Sequence, residues 1–283
     1  MDGSNPCRHS GSRGPSWYNP RTDFRRHARQ GKYAGPTNAI SPPNNQGSRE
    51  IPPGPRRPLT SSPFLQFPPF LPEYFGREDE SDDSNFYVQP RLVVHIDDGA
   101  IAAVGNVFRS MIPPDAAVLD LMSSWRSHWP ADHPRARLAG LGMNAVEMQE
   151  NPDLDDYLIQ DINKDPVLPY EDDTFDAVVI TVSVQYLTSP IEVFQQVNRI
   201  LKPGGVFIVT FSNRMFPTKA VKIWRYTTDW RHIDLVAAYL EEAGDYEEIR
   251  GGFVNPDASP PGDPLFAVVA NKASGKAPNQ ASG

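Results

Sequence analysis

From residue 91 onward the chain alternates short apolar runs with amphipathic stretches, and this alternation constrains the fold more than any other feature of the sequence. "HIDDGAIAAVGNVFRSMIPP" spaces Ile101, Val104, Phe108 and Met111 for one helical face, with Asp97 and Asp98 able to cap it and Pro113 and Pro114 to stop it. Apolar runs follow at 116–122, 136–141, 156–163 and 177–184, the last of them apolar enough for burial on both faces. "SPIEVFQQVNRILKPGG" then predicts a helix with Ser189 as N-cap, Pro190 at its first position, Glu192 completing a capping box, and Pro203, Gly204 and Gly205 beyond its end. "VFIVTFS", the helix "DWRHIDLVAAYLEEAG" and the strands "YEEIRGGFV" and "PLFAVVANK" complete the series. Strands and helices in alternation, joined by short connections, predict a doubly wound α/β fold: a seven-stranded, mostly parallel sheet ending in an antiparallel hairpin.

Such a sheet binds its ligand at the carboxyl ends of the strands. The turns to inspect are Met122–Trp125, Gly142–Asn144, Asp161–Asn163 and Thr181–Tyr186. None carries a G-x-x-x-x-G-K-[ST] phosphate loop, a G-x-G-x-x-G dinucleotide fingerprint, a G-x-S-x-G nucleophile elbow or a His-Glu-x-x-His metal motif. The single cysteine, Cys7, allows neither a disulfide framework nor a thiolate metal site in the body.

Charge divides the chain. Residues 1–60 hold ten Lys and Arg against three Asp and Glu, whereas residues 61–283 hold 17 against 32. Fourteen of the 30 prolines precede residue 73, a density that removes backbone donors and predicts a disordered tail over 1–84. Within it "FLQFPPFLPEYFG" (64–76) reads as an extended strap on the body, or as a docking motif for a partner. The Arg21, Arg25, Arg26 and Arg29 cluster reads as a solvated tail that helps solubility, with nucleic-acid or membrane binding as the alternative. Residues 85–272 form the predicted folded domain and 273–283 a C-terminal tail. No run of about 18 apolar residues exists, so no membrane span is expected. The setting expected is intracellular and cytoplasmic, although an Arg-rich start is also a feature of organelle transit peptides.

"LPYEDDTFDAVVI" and "VFQQVNRILKPGGVFIVTFSN", at this spacing, resemble the entry to the fourth strand and the helix, turn and fifth strand of the class I S-adenosylmethionine-dependent methyltransferases, type 11-like. "LDLMSSWRSHWP", "LGMN", "SVQYL" and "SNRMFPTKA" also resemble a subgroup of methyltransferase-like proteins in which an "LDLMSSW" loop replaces the glycine-rich motif. The resemblance spans about residues 91–270 and implies a Rossmann-like fold with S-adenosylmethionine as cofactor. It implies that Asp120 positions the loop receiving the methionine part, with Met122, Ser123, Ser124, Gly142, Met143 and Val182 around the cofactor. It places Asp161 against the adenine amino group and Ile162 beside the ring; a turn cap is the plainer reading of Asp161.

Two departures from the pattern stand out. Where the family ends its second strand in an acidic residue that grips the ribose, this chain has Gly140, Leu141 and Gly142, leaving Asn144 or Glu147 to substitute. The first loop lacks glycine, so Met122 to Trp125 are expected to adopt ordinary dihedrals, and only about two helical turns fit before Pro130 and Pro134. The Ser123 and Ser124 hydroxyls either donate to the ligand's carboxylate or cap the shortened helix. Trp125 and Trp129 either wall the cleft or pack in the core.

Methyl transfer draws on alignment more than on a catalytic constellation, and a base is needed only where the acceptor loses a proton. Tyr186 and His128 are the candidates, each with a plainer reading as packing and surface residue. Asn213, Arg214, Phe216 and Lys219, after the fifth strand, are candidates for the acceptor wall; alternatively Arg214 and Lys219 neutralise the acidic body. That acidity argues against a nucleic-acid substrate and favours a small molecule, with a protein substrate left open. A methyltransferase-like scaffold without catalysis is the alternative function.

Overall fold

The computed structural model describes residues 64–255 and 262–275. Cys7, the Arg21 to Arg29 cluster and the far C-terminal tail lie outside the described residues. Among the described residues, those from Phe67 onward belong to one compact unit and residues 64–66 to a second.

In the larger unit seven strands form one sheet in the order β3-β2-β1-β4-β5-β7-β6. They are β1 (Ala116–Leu121), β2 (Arg135–Gly142), β3 (Asp156–Ile159), β4 (Phe175–Thr181), β5 (Leu201–Phe211), β6 (Tyr246–Phe253) and β7 (Phe266–Lys272). The first five run parallel, while β7 is antiparallel to both β5 and β6. This is the mostly parallel, Rossmann-like α/β sheet that the alternation predicts. Order reverses between β1 and β4, so the carboxyl ends of these neighbours open onto the crevice.

The helices are α1 (Asp83–Phe86), α2 (Asp98–Met111), α3 (Ala145–Gln149), α4 (Pro190–Ile200), α5 (Lys222–Arg225) and α6 (Asp229–Ala243). Because successive strand residues point to opposite faces, Val118, Ala177, Val179 and Ile208 meet α2 through Val104, Val107 and Phe108 on one side. On the other, Phe207 packs edge-to-face on Phe194 of α4 at 4.8 Å, and Phe194 on Tyr239 of α6 at 6.0 Å. Asp97 caps α2 by accepting from the Ala100 amide at 2.8 Å, and Gly244, at φ 79°, ends α6. Ser189 stands at the N-cap of α4 without a capping hydrogen bond from its side chain, so the predicted capping box does not form; its ψ of 60° departs from the extended backbone such a cap needs.

Two connections differ from the expectation. No helix follows β1: the chain crosses from Leu121 to Arg135 as a loop, pinned where Trp129 buries against Phe108 and donates its indole N–H to the His133 carbonyl at 2.8 Å. Residues 67–76, read from the sequence as a strap on the body, and residues 77–84, counted with the tail, both lie on the sheet domain. Phe70 and Phe75 pack on Tyr239 at 5.1 and 6.0 Å, the Asp79 amide donates to the Thr218 carbonyl, and the Lys222 amide donates to the Gly76 carbonyl. No helix among the described residues is long and apolar enough to cross a membrane.

Candidate functional site

The loops after β1, β2, β3 and β4 converge on one cavity of about 450 Å³, closed on its far side by residues 77–95 and by the segment after β5. Asp120, Met122, Ser123, Ser124, His128, Gly142, Met143, Asn144, Asp161, Ile162, Val182, Tyr186, Arg214, Phe216 and Lys219 all line it. Asn213 does not; it is exposed to solvent outside the cavity.

The β1 loop is built on serine hydroxyls. Ser123 donates its Oγ–H to Asp120 Oδ2 at 2.6 Å and its amide to the Leu141 carbonyl at 2.8 Å, tying the loop to the neighbouring strand. Ser124 donates its Oγ–H to Glu147 Oε2 at 2.7 Å. With no helix after β1, the capping role weighed for these hydroxyls has nothing to cap. Burial pushes the Asp120 carboxyl up to about 7, with the Ser123 and Ser127 hydroxyls opposing it. Glycine's freedom is not dispensed with entirely: Met122 stands at φ 60° and Val182, at the end of β4, at φ 48°. The expectation of ordinary dihedrals fails at Met122. Left-handed backbone in a non-glycine residue is uncommon and costs about 1–3 kcal/mol, tolerated where the surroundings over-determine it.

At the end of β2 the glycines are explained by close approach. A Cβ on Gly142 would meet the Ser123 carbonyl and lie 2.7 Å from Met148 Sδ; on Gly140 it would meet Met148 and Leu154. The rebuilt loop therefore occupies the volume in which an acidic side chain at Gly142 would have to stand. Asn144 does not replace that side chain. Its Oδ1 caps α3 by accepting from the Val146 and Glu147 amides, and its Nδ2 donates to the Tyr87 carbonyl at 2.7 Å. Glu147, buried on the cavity wall, accepts from Ser124 and from the Arg91 amide at 2.7 Å with one bond at each oxygen. A carboxylate offers about four lone-pair positions, so capacity remains.

Buried polar atoms without a hydrogen-bond partner cluster at the next two strand ends. Asp161 Oδ1 caps the turn by accepting from the Asn163 amide at 3.0 Å, whereas Asp161 Oδ2 is buried with no hydrogen-bond donor, and Lys164 Nζ stands 3.8 Å away. Thr181 Oγ1 and Ser183 Oγ are also buried and unpartnered. Buried polar groups are normally satisfied, so three such atoms on one cavity wall mark where a ligand's complementary groups belong.

Two expected site residues carry fastening bonds. Tyr186 accepts from the Phe216 amide at 2.8 Å, holding the post-β5 segment, and burial raises its phenol against the opposing effect of that amide and Gln185. Lys219 is 1 % exposed, and its ammonium is held by Asp79 and Asp83, each at 3.1 Å, and by the Ser81 carbonyl at 2.7 Å. It fastens the N-terminal segment and has no free donor for an acceptor. Arg214 is drawn to Asp263 at 2.8 Å on the rim. His128, by contrast, stays on the cavity wall, its ring shifted toward the neutral form by burial despite Asp153. His95 joins it from the N-terminal segment, lowered in the same direction by desolvation against the pull of Glu147.

The N-terminal wall of Arg77, Asp83, Tyr87, Arg91, Val93, Val94 and His95 escaped the sequence reading. Its fastening is dense. Arg77 grips both oxygens of Asp83 at 2.7 and 2.8 Å, Asn163 donates to Asp83 Oδ2 and to the Tyr186 carbonyl at 3.0 Å each, and Trp125 donates its indole N–H to the Val93 carbonyl at 2.9 Å. Burial disfavours the Asp83 carboxylate, but Arg77, Asn163 and Lys219 outweigh it and hold the group below the usual range. The readable signal was the apolar strap before it; the acidic "EDESDDS" gave no sign that Asp79 and Asp83 face buried cations.

This arrangement can be set beside known proteins. Residues 139–209, from β2 into β5, match the family model of the methyltransferase domain. The chain carries a methyltransferase-domain signature. Over 83 residues it is 28 % identical to the biotin biosynthesis bifunctional protein BioHC of Teredinibacter turnerae (strain ATCC 39867 / T7901), covering 27 % of this chain and 15 % of that protein. The chain thus spans about one-seventh of the length of this curated relative. Among solved structures, it is similar to a chain from the complex between the Haloferax volcanii Trm112 methyltransferase activator and a methyltransferase, with TM-score 0.48 and 16 % identity over 62 % of this chain and 90 % of that one. It is also similar to the cyclase SpnF, with TM-score 0.47 and 16 % identity over 68 % of this chain and 92 % of that one.

Proposed function

We propose that the chain is an S-adenosylmethionine-dependent methyltransferase acting on a small-molecule acceptor. The observation that carries this reading is the set of buried atoms without a hydrogen-bond partner, Asp161 Oδ2, Thr181 Oγ1 and Ser183 Oγ, on a single cavity at the switch point of a methyltransferase-signature sheet. These residues suit the group. Asp161 Oδ2 accepts from the adenine amino group and Ile162, 4 % exposed, packs beside the ring. Glu147, with lone pairs to spare, takes the ribose hydroxyls in place of a carboxylate at Gly142. Met122, Ser123, Ser124, Gly142, Met143 and Val182 line the methionine portion, and Asp120 fixes the loop through Ser123. When bound, S-adenosylmethionine supplies an electrophilic methyl group on a sulfonium sulfur.

The chain's own contribution is then orientation and exclusion of water. The β1 and β4 loops fix the donor side, while residues 77–95 and Phe216 close the acceptor side, so that an acceptor atom is held for in-line attack. Where the acceptor carries a proton, His128 and His95, both biased toward the neutral imidazole, are the groups able to accept it. The test is isothermal titration of the full chain with S-adenosylmethionine and S-adenosylhomocysteine. Saturable binding of both supports the reading; no heat and no thermal shift at millimolar ligand would leave a non-catalytic scaffold as the function.

A further inference from the structure

The cations around the cavity are unequal. Arg77 is paired with Asp83, Lys219 with Asp79 and Asp83, and Arg214 with Asp263. Arg126 stacks on Trp125 at 3.9 Å and donates through Nη1 to the Trp125 and Glu150 carbonyls. Arg91 differs. Its guanidinium lies 4.3 Å from the Phe86 ring centroid and 5.5 Å from that of Phe216, and it makes no hydrogen bond or ion pair among the described residues, with Nη1 buried and unsatisfied. Its main chain is nonetheless fixed, because the Arg91 amide donates to Glu147 Oε1 at 2.7 Å.

A buried guanidinium donor without an acceptor is unfavourable, and a planar fork of donors matches a carboxylate with two parallel bonds. The surface beside it is aromatic: Phe86 and Phe216 meet edge-to-face at 5.3 Å, and His95 and Tyr186 approach Phe216 at 5.4 and 6.0 Å. A rigid aromatic surface favours a flat apolar body. We propose that Arg91 is the receptor for a carboxylate on an aromatic acceptor molecule and sets the specificity of the acceptor half of the cavity. This rests on the methyltransferase reading for the word acceptor, though not for the anion site itself.

The probes are benzoate and its neutral isostere benzamide, titrated by calorimetry and ligand-observed NMR into the full chain, alone and saturated with S-adenosylhomocysteine. Benzoate is expected to bind the wild type at least tenfold more tightly than benzamide, and Arg91→Ala to remove that preference while S-adenosylhomocysteine affinity stays within about threefold. Equal binding of the two probes, or binding of neither, overturns the proposal without recourse to any variant. A loss of S-adenosylhomocysteine affinity above tenfold in both Arg91→Ala and Arg91→Gln, with unchanged thermal midpoint, overturns it differently by assigning the guanidinium to the cofactor's own carboxylate. Should the wild type bind no S-adenosylhomocysteine, the methyltransferase reading fails, and the benzoate comparison on the free protein still decides the anion site.

Discussion

Ser123 fills the space into which a side chain on Gly142 would grow: a Cβ there would meet the Ser123 carbonyl oxygen and lie 2.7 Å from Met148 Sδ. The glycine at the end of β2 and the loop after β1 are therefore one construction. Gly142→Ala is expected to destabilise the fold by about 1–3 kcal/mol, the usual range for overpacking, and Gly142→Asp at least as much, with no gain in cofactor affinity. Urea unfolding with parallel S-adenosylhomocysteine titration checks this. Tighter binding by Gly142→Asp would show that the carboxylate position is still open.

In the proposed function Glu147 is the carboxylate that takes the ribose hydroxyls. Glu147→Ala is expected to weaken S-adenosylhomocysteine by roughly 10- to 100-fold, the scale of a charged hydrogen bond of about 1.5–3 kcal/mol. Ser124→Ala, which removes only the 2.7 Å bond that orients Glu147, should weaken it by less, about threefold to tenfold. Asn144→Ala should leave affinity nearly unchanged and lower stability by about 1 kcal/mol through loss of the α3 cap. Calorimetry on the three variants ranks them.

Asp120 links stability to pH. Its carboxyl, ordinarily near 3.8, is raised to about 7 by burial, so between these values the folded chain holds a proton that the unfolded chain has lost. The folding stability contributed by this group therefore falls as pH rises from about 4 to about 7, by at most roughly 4 kcal/mol. Asp120→Asn, which keeps an acceptor for Ser123, should flatten this slope and leave the variant more stable than wild type at about pH 8. Denaturation midpoints across that range test it; parallel wild-type and variant curves would refute it.

Lys219 is buried between two carboxylates. Removing one partner of a buried ion pair typically costs about 3–5 kcal/mol, because the remaining charge is left uncompensated. Lys219→Ala is expected to fall in that range, and amide exchange at Asp79 to accelerate, as the bond from its amide to the Thr218 carbonyl loosens. Hydrogen-exchange mass spectrometry on peptides covering residues 77–87 reads this directly.

Periodicity made the sheet legible. Val118, Ala177 and Ile208 meet the helical stripe of Val104 and Phe108, and hydrophobic spacing fixes such elements locally. The crevice followed from the strand order, and fifteen of the proposed site residues do line one cavity. What spacing could not convey was partnership over long separations. Lys219 and Arg214 read equally as acceptor-wall cations or as neutralisers of the acidic body until Asp83 and Asp263 are seen beside them, and Arg91, whose guanidinium has no hydrogen bond or ion pair among the described residues, sits in a segment with no motif at all. Nor does a sequence reveal left-handed backbone at Met122 or Val182, which only tertiary packing enforces.

The fastening of residues 77–83 also bears on where this domain begins. Composition places the boundary near residue 84, where the proline-rich stretch gives way to regular periodicity. A protein truncated there would keep the Lys219 side chain in the interior and discard Asp79, Ser81 and Asp83, which together hold its ammonium. Such a fragment would expose the underside of the cavity and carry a naked charge in its core, and its failure to bind a ligand would say nothing about the intact chain. The aromatic strap seats beside the same fastening, through Phe70 and Phe75 on Tyr239.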